Sequence, residues 1–222
     1  MGTRSHFQSE IESLRAALVE MASRVLSQVE QAVRAWDEVD AAAATGVVEG
    51  DEQVDIRCLE LDQRIFNIQV LEAPVASDLR LLHVGLIAVI ALERVGDLAV
   101  SIATLAGGVP PEGAVPEVQS VVHRMSARAV DALAEAVQSI ARSDVDLADR
   151  TIEDARQAQA LMSDVLAAVA QAPDAHETKV WTAAAVLVAR HLDRVANNAA
   201  ELAGRVRFLA TGEAYARRAT RS

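Results

Sequence analysis

The amino-acid sequence predicts an all-α protein built from two tandem three-helix bundles, and three observations lead to this fold class. Half of the 222 residues are hydrophobic but only 3% are aromatic, with few glycines and prolines, a composition that favours long helices over a sheet. Apolar residues recur at intervals of three and four, which is the helical period. The two halves of the chain also resemble each other at a nearly constant spacing, which indicates a duplicated unit.

The apolar period and its interruptions predict six helices. We expect them over residues 7–43, 46–72, 76–106, 118–143, 145–171 and 175–210. Pro74 and Pro173 end the second and fifth helices, because proline cannot continue a helix. The stretch Asp174 to Glu177 predicts a capping box at the start of the sixth.

The segment GGVPPEGAVPE contains three of the five prolines and divides the chain. We therefore expect a first bundle at 7–107, a linker at 108–117, a second bundle at 118–213 and a C-terminal tail at 214–222.

The internal repeat aligns the two bundles residue by residue. Asp40 corresponds to Asp144, 104 residues later, whereas beyond the helical hairpin the spacing becomes 100, so that Glu93 corresponds to Asp193. A change of four residues is about one helical turn, so corresponding residues keep the same helix face.

Two pairs of carboxylates stand out in the first unit. Glu93 and Asp97 are four residues apart in one of the most apolar runs of the chain, and Asp51 and Asp55 have the same spacing on the preceding helix. If the hairpin turns near residue 75, the two pairs lie at about the same height on facing helices. Four carboxylates at one level need a counter-charge to stay ionised.

Two sources of that counter-charge are open. A hard, oxygen-preferring cation is one, since carboxylates on facing helices of a bundle form metal sites in this way. A salt-bridge network is the other, with Arg57, Arg94 and Arg194 as its arginines.

The repeat predicts a weaker site in the second unit. At the positions that correspond to Asp51 and Asp55, the second unit has Ala155 and Gln159. The position that corresponds to Glu93 is still acidic, as Asp193. The predicted metal ligands of the whole chain are therefore Asp51, Asp55, Glu93, Asp97 and Asp193, and Asn197 and Glu201 are secondary candidates.

The composition also argues against several classes of function. A net charge of −11 is the wrong sign for nucleic acid or an anionic membrane surface. The apolar run at 81–106 is long enough to span a bilayer, but Glu93, Arg94 and Asp97 interrupt it, so we expect a buried helix and no membrane span. The single cysteine, Cys58, fits a reducing compartment, and the N-terminus has no signal-peptide pattern.

No catalytic constellation is present in the sequence. A nucleophile–base pair, a phosphate-binding glycine loop, a Cys/His ligand set and the Glu-x-x-His pairs of di-iron carboxylate enzymes are all missing. We therefore expect that the protein is not an enzyme.

Four segments resemble the PhoU family of bacterial phosphate-transport regulators. They are VVEGDEQVD (47–55), APVASDLRLLHVGLIAVIALERVGDLAVSIA (73–103), HLDRVANNAAELA (191–203) and VRFLATGE (206–213). The resemblance implies two tandem three-helix bundles in a cytoplasmic protein, held at the inner membrane only through protein partners. It implies a negative regulator of phosphate uptake and of the phosphate-starvation response, which connects the phosphate ABC transporter ATPase to a sensor histidine kinase.

The resemblance also implies a homodimer and bound iron, zinc, manganese or magnesium ions. In the family these ions are held by E/D-x-x-x-D motifs, which fall here on Asp51, Asp55, Glu93 and Asp97, whereas in the second unit only Asp193 remains an acid. The alternatives are a helical scaffold whose carboxylates form salt bridges without metal, and a paralogue with different partners.

Overall fold

The computed structural model describes residues 2–72 and 74–212, and over these residues it contains six long α-helices and no strand. The helices are α1 (Gly2–Glu38), α2 (Ala41–Glu72), α3 (Ala76–Gly108), α4 (Pro116–Arg142), α5 (Val145–Ala170) and α6 (His176–Thr211). A short 3₁₀ turn, Pro111–Gly113, interrupts the linker. The all-α fold class is therefore confirmed, while the predicted end of the second bundle at 213 and the tail at 214–222 lie outside the described residues.

The predicted continuation of the first helix to residue 43 was wrong. The helix ends at Glu38, because Val39 adopts a left-handed conformation with φ of 56° and Asp40 caps α2. The Oδ1 atom of Asp40 accepts hydrogen bonds from the backbone N–H groups of Ala42 and Ala43, at 3.0 and 2.9 Å. Ser143 and Asp144 repeat this turn, with φ of 53° and an Asp144 side chain that caps α5. The repeat thus extends to the turns between helices.

The start of α6 also differs from the prediction. The capping residue is Ala175, which offers no side-chain hydrogen bond, and Asp174 instead forms an ion pair with Lys179. The capping box predicted there was therefore wrong. The linker packs closely on this end of α6: a Cβ atom at Gly113 would lie 2.1 Å from the carbonyl oxygen of Glu177.

The six helices pack as two triplets side by side. Helices α1, α2 and α3 contact one another, as do α4, α5 and α6, and the triplets meet through α1 against α4 and α3 against α6. Helices α2 and α5 consequently lie at opposite outer edges of the described molecule, since each contacts only the other two helices of its own triplet.

A continuous apolar core joins the two triplets. Its fully buried side chains include Leu14 and Leu92 from the first and Leu133 and Leu192 from the second. Trp36 and Trp181 stack across the junction with ring centroids 5.6 Å apart. None of the described helices is both long enough and apolar enough to cross a membrane.

Candidate metal centre

The α2–α3 hairpin brings the two acidic pairs of the first unit to the same level. Asp51 and Asp55 lie on α2, and Glu93 and Asp97 lie on α3; we call these four carboxylates the acidic site. A Cβ atom at Gly96 would lie only 3.3 Å from Asp51 Oδ1, so the two helices approach closely between the acidic pairs.

The carboxylates of the acidic site act on one another electrostatically. Partial loss of hydration raises the pKa of Asp55, and the negative charges of Asp51 and Asp97 raise it further. Burial also raises the pKa of the Cys58 thiol to about 12, with added contributions from Glu93, Asp55 and Asp51. Since carboxylates of both helices act on Asp55 and on Cys58, the acidic site forms one region of negative potential.

Arginines do not neutralise this region. Within residues 2–72 and 74–212, none of the four carboxylates forms an ion pair. Arg57 turns away to Glu60 at 2.9 Å and to Glu20 at 3.4 Å. Neither Arg94 nor Arg194 forms an ion pair with a described residue. The salt-bridge network expected as one alternative is therefore not formed at the acidic site by these arginines.

Gln28 of α1 is a polar member of this region that sequence analysis missed. Its side chain is only 7% exposed, and its Nε2 donates a hydrogen bond to Asp51 Oδ1 at 2.8 Å. Its Oε1 is buried and receives no hydrogen bond from the described residues, which is costly for a polar atom. A cation beside Asp51 would satisfy this oxygen, because amide carbonyls are good ligands for hard cations.

The described side chains do not converge on one point. Among the described residues, no group of three or more His, Cys, Asp or Glu side chains lies close enough together to hold a metal ion. Asp55, Glu93 and Asp97 are exposed, so their side chains are free to change rotamer. The composition of the site, oxygen donors without counter-charge and an unsatisfied amide oxygen, fits a hard cation.

In the second unit, in contrast, the candidate acidic ligands form ion pairs with arginines. Asp193 forms an ion pair with Arg190, and Glu201 forms one with Arg205 at 3.1 Å. Asn197 lies half-buried on the same helix, and the positions of Asp51 and Asp55 are held by Ala155 and Gln159. The two second-unit acids therefore already have positive partners.

A separate pair of carboxyl groups joins α4 to α5. Burial raises the pKa of Glu135, and the charge of Asp154 and a hydrogen bond between the two carboxyl groups raise it further. The hydroxyl of Thr151 lies 3.4 Å from Glu135 Oε2. These residues correspond to none of the predicted ligands.

The fold and the site define a class of protein: an all-helical tandem repeat of two three-helix units, with a cluster of unpaired carboxylates on the hairpin of the first. Comparison with known proteins supports a specific family. The PhoU domain model matches residues 18–106, within the first unit. A phosphate-specific transport system accessory protein PhoU homolog from Pseudomonas putida is 30% identical over 212 residues, which cover 93% of this chain and 81% of that protein.

Another relative and a crystal structure agree with this match. The PhoU homolog 2 from Mycobacterium bovis is 29% identical over 213 residues, 94% of this chain and 98% of its own length. The crystal structure of PhoU from Pseudomonas aeruginosa superposes with a TM-score of 0.88 at 28% identity, covering 93% of this chain and all of that one. The chain belongs to the PhoU family.

Proposed function

We propose that this protein is an accessory regulator of phosphate transport. In this role it restrains phosphate uptake and the starvation response when phosphate is plentiful, as an adaptor between the phosphate ABC transporter ATPase and a sensor histidine kinase in the cytoplasm. The observation that carries the proposal is the similarity to the Pseudomonas putida accessory protein over 93% of the chain. The role requires surfaces for partners and no catalytic group of its own.

The acidic site would hold a hard cation in this function. Asp51, Asp55, Glu93 and Asp97 would supply carboxylate oxygens, and Gln28 would add its amide oxygen from α1. Such an ion neutralises the repulsion among the carboxylates and braces three helices against one another. Its identity among iron, zinc, manganese and magnesium follows from availability and ligand number, since all four accept oxygen donors.

The second unit would bind metal less well than the first. Arg190 and Arg205 already balance Asp193 and Glu201, and a cation would have to displace them. The scaffold alternative, in which arginines take the place of metal, is consequently better supported for the second unit than for the first.

The regulatory role is tested in the native host. In a strain that lacks the gene, a phosphate-starvation reporter should be expressed even at high phosphate, and the intact gene should restore repression. An affinity-tagged copy should recover the transporter ATPase or the sensor kinase, more at high phosphate than at low. Normal repression in the deletion strain, together with recovery of neither partner, would instead identify a paralogue with a different task.

A further inference from the structure

The outer side of the α2–α3 hairpin carries large apolar side chains that the described residues leave about half exposed. Leu59 and Phe66 on α2 are 59% and 63% exposed, and Val70 is 64% exposed. Leu79 and Ile90 on α3 are 48% and 41% exposed. We call these five residues the apolar outer face. On α2, Phe66 and Val70 follow Leu59 by seven and eleven residues, and on α3 Ile90 follows Leu79 by eleven, so each row lies on one side of its helix.

The register of the hairpin puts the two rows next to each other. Because Gly96 lies against Asp51, residues whose numbers add up to about 147 are at one level. Leu59 is then within one turn of Ile90, and both Phe66 and Val70 are within one turn of Leu79. The two rows thus lie at the same levels on neighbouring antiparallel helices, and the row on α2 extends for about 16 Å.

The repeat shows that this face is a property of the first unit and not of the fold. Leu59 and Phe66 correspond to Ser163 and Ala170, at a spacing of 104 residues. Leu79 and Ile90 correspond to Lys179 and Arg190, at a spacing of 100, and all four second-unit residues are exposed. The same positions are thus small or charged where the second hairpin meets solvent. The second hairpin exposes two leucines at other positions, Leu166 and Leu187. Large exposed apolar residues at the positions of the apolar outer face occur in the first unit and not in the second, and such a patch indicates an interaction surface.

The acidic charge of α2 beside the face indicates the chemistry of the partner; on α3, one exposed arginine without an ion pair in the described part of the chain, Arg94, lies one turn from Ile90. The exposed acids Glu49, Glu52, Asp62 and Glu72 of α2 form no ion pair with any described residue. The two arginines of α2, Arg57 and Arg64, already form three ion pairs, all of them to glutamates of α1 and α2. A second copy of this chain would bring these acids against its own, whereas a basic surface would complement them.

We propose that the apolar outer face binds an amphipathic helix of a partner protein, whose apolar side is flanked by Lys and Arg. A groove between two antiparallel helices accepts a third helix through apolar anchors spaced at three, four and seven residues. The basic flanks of the partner lie over Glu52 and Asp62. The proposal rests on the adaptor role, for which it names the kind of element that docks, but its test uses purified protein and is independent of any phosphate phenotype.

The probe is a fluorescent synthetic helix of about 18 residues made of leucine and lysine, long enough to cover the apolar outer face. Its binding is followed by fluorescence anisotropy, against a matched peptide in which glutamate replaces lysine. The double variant Leu59→Ser/Phe66→Ser should weaken binding of the lysine peptide roughly tenfold or more, because two apolar anchors are lost. The variant Glu52→Gln/Asp62→Asn should weaken it less and reduce its dependence on salt.

A control variant separates a specific surface from general stickiness. Leu166→Ser/Leu187→Ser removes two equally exposed leucines, 51% and 50%, from the second unit and should leave binding unchanged. All substituted residues are exposed, and circular dichroism before and after melting verifies that each variant is folded.

Three results would overturn the proposal. The first is unchanged binding by Leu59→Ser/Phe66→Ser, and the second is equal binding of the glutamate peptide. The third is a wild-type dimer in sedimentation velocity that Leu59→Ser/Phe66→Ser dissociates, since a second copy would then occupy the face.

Discussion

Substitution of Gly96 by alanine tests the close approach of three helices at the acidic site. Two effects oppose each other in this variant. Alanine is better than glycine inside a helix by about 1 kcal/mol. The new Cβ atom, however, would lie 3.3 Å from both Asp51 Oδ1 and Gln28 Oε1 and 3.4 Å from Val54 Cγ1.

The contact penalty is expected to outweigh the gain in helix propensity. These distances require the neighbours to move by a few tenths of an ångström, and Gln28 is buried and hydrogen-bonded to Asp51 at 2.8 Å, so it yields only at the cost of that bond. Overpacking of this kind costs about 1–3 kcal/mol. The free energy of unfolding of Gly96→Ala should therefore range from that of wild type to about 2 kcal/mol below it.

Gly50→Ala is the matched control. Gly50 lies on α2, and a Cβ atom there would meet nothing within 4 Å, so only the propensity gain applies and the protein should become more stable by about 1 kcal/mol. Urea unfolding followed by circular dichroism, with EDTA present, should separate the two variants by about 1–3 kcal/mol. If Gly96→Ala stabilises the protein as much as Gly50→Ala does, the helices are not in close contact at Gly96 and the reasoning fails.

Three further predictions concern pH, capping and the linker. Because the pKa of Asp55 is raised in the folded metal-free protein, its ionisation costs stability as pH rises through that raised value. With EDTA present, Asp55→Asn should therefore melt higher than wild type at pH 7, and the difference should vanish below the ordinary aspartate pKa of about 3.9. Equal melting temperatures at both pH values would contradict this. Asp144 caps α5, and its Oδ1 accepts a hydrogen bond from the backbone N–H of Leu147 at 2.9 Å. Asp144→Ala removes this cap and should lower the free energy of unfolding by about 1 kcal/mol, and Asp144→Asn should largely retain the wild-type stability. Gly113→Ala places a Cβ atom 2.1 Å from the Glu177 carbonyl oxygen and should lower the melting temperature by several degrees, roughly 2–4 °C for each kcal/mol; an unchanged melting temperature would show that the linker is not packed on α6.

The helices and the hairpin could be predicted from the sequence because they follow from local patterns. The apolar period of three to four residues and the helix end at Pro74 depend on residues that are close in sequence. The correspondence of Glu93 and Asp193 depends on the spacing of the internal repeat. The acidic pairs on α2 and α3 were placed together by counting outward from a single turn, which works because antiparallel helices of equal rise stay in register.

The turn at residues 39–40 was missed because no glycine or proline marks it. Val39 is a β-branched residue with φ of 56°, which is unfavourable and which no local propensity predicts. The signal was present in the repeat, because Asp40 corresponds to Asp144, which was placed correctly between two helices. Reading the turn of one unit from the other would have found it.

The role of Gln28 depends on packing that no local pattern shows. Gln28 lies three residues after Val25 and four before Ala32, on the buried side of α1. A polar residue within an apolar stripe was therefore the only sign in the sequence that Gln28 has a role in the interior. Which oxygen it approaches depends on how α1 crosses α2 and α3. The orientations of exposed carboxylates, which decide whether they converge, are similarly outside the reach of sequence patterns.

The metal content of the purified protein tests the central claim about the acidic site most directly. Protein loaded with Mn²⁺, Zn²⁺ or Fe³⁺ and dialysed would be analysed for bound metal as wild type, as Glu93→Gln/Asp97→Asn, and as the matched second-unit variant Asp193→Asn/Glu201→Gln. We expect the first-unit variant to lose most of the metal that wild type retains, and the second-unit variant to keep it. Unchanged metal content in Glu93→Gln/Asp97→Asn would contradict the assignment of the cation to the first unit.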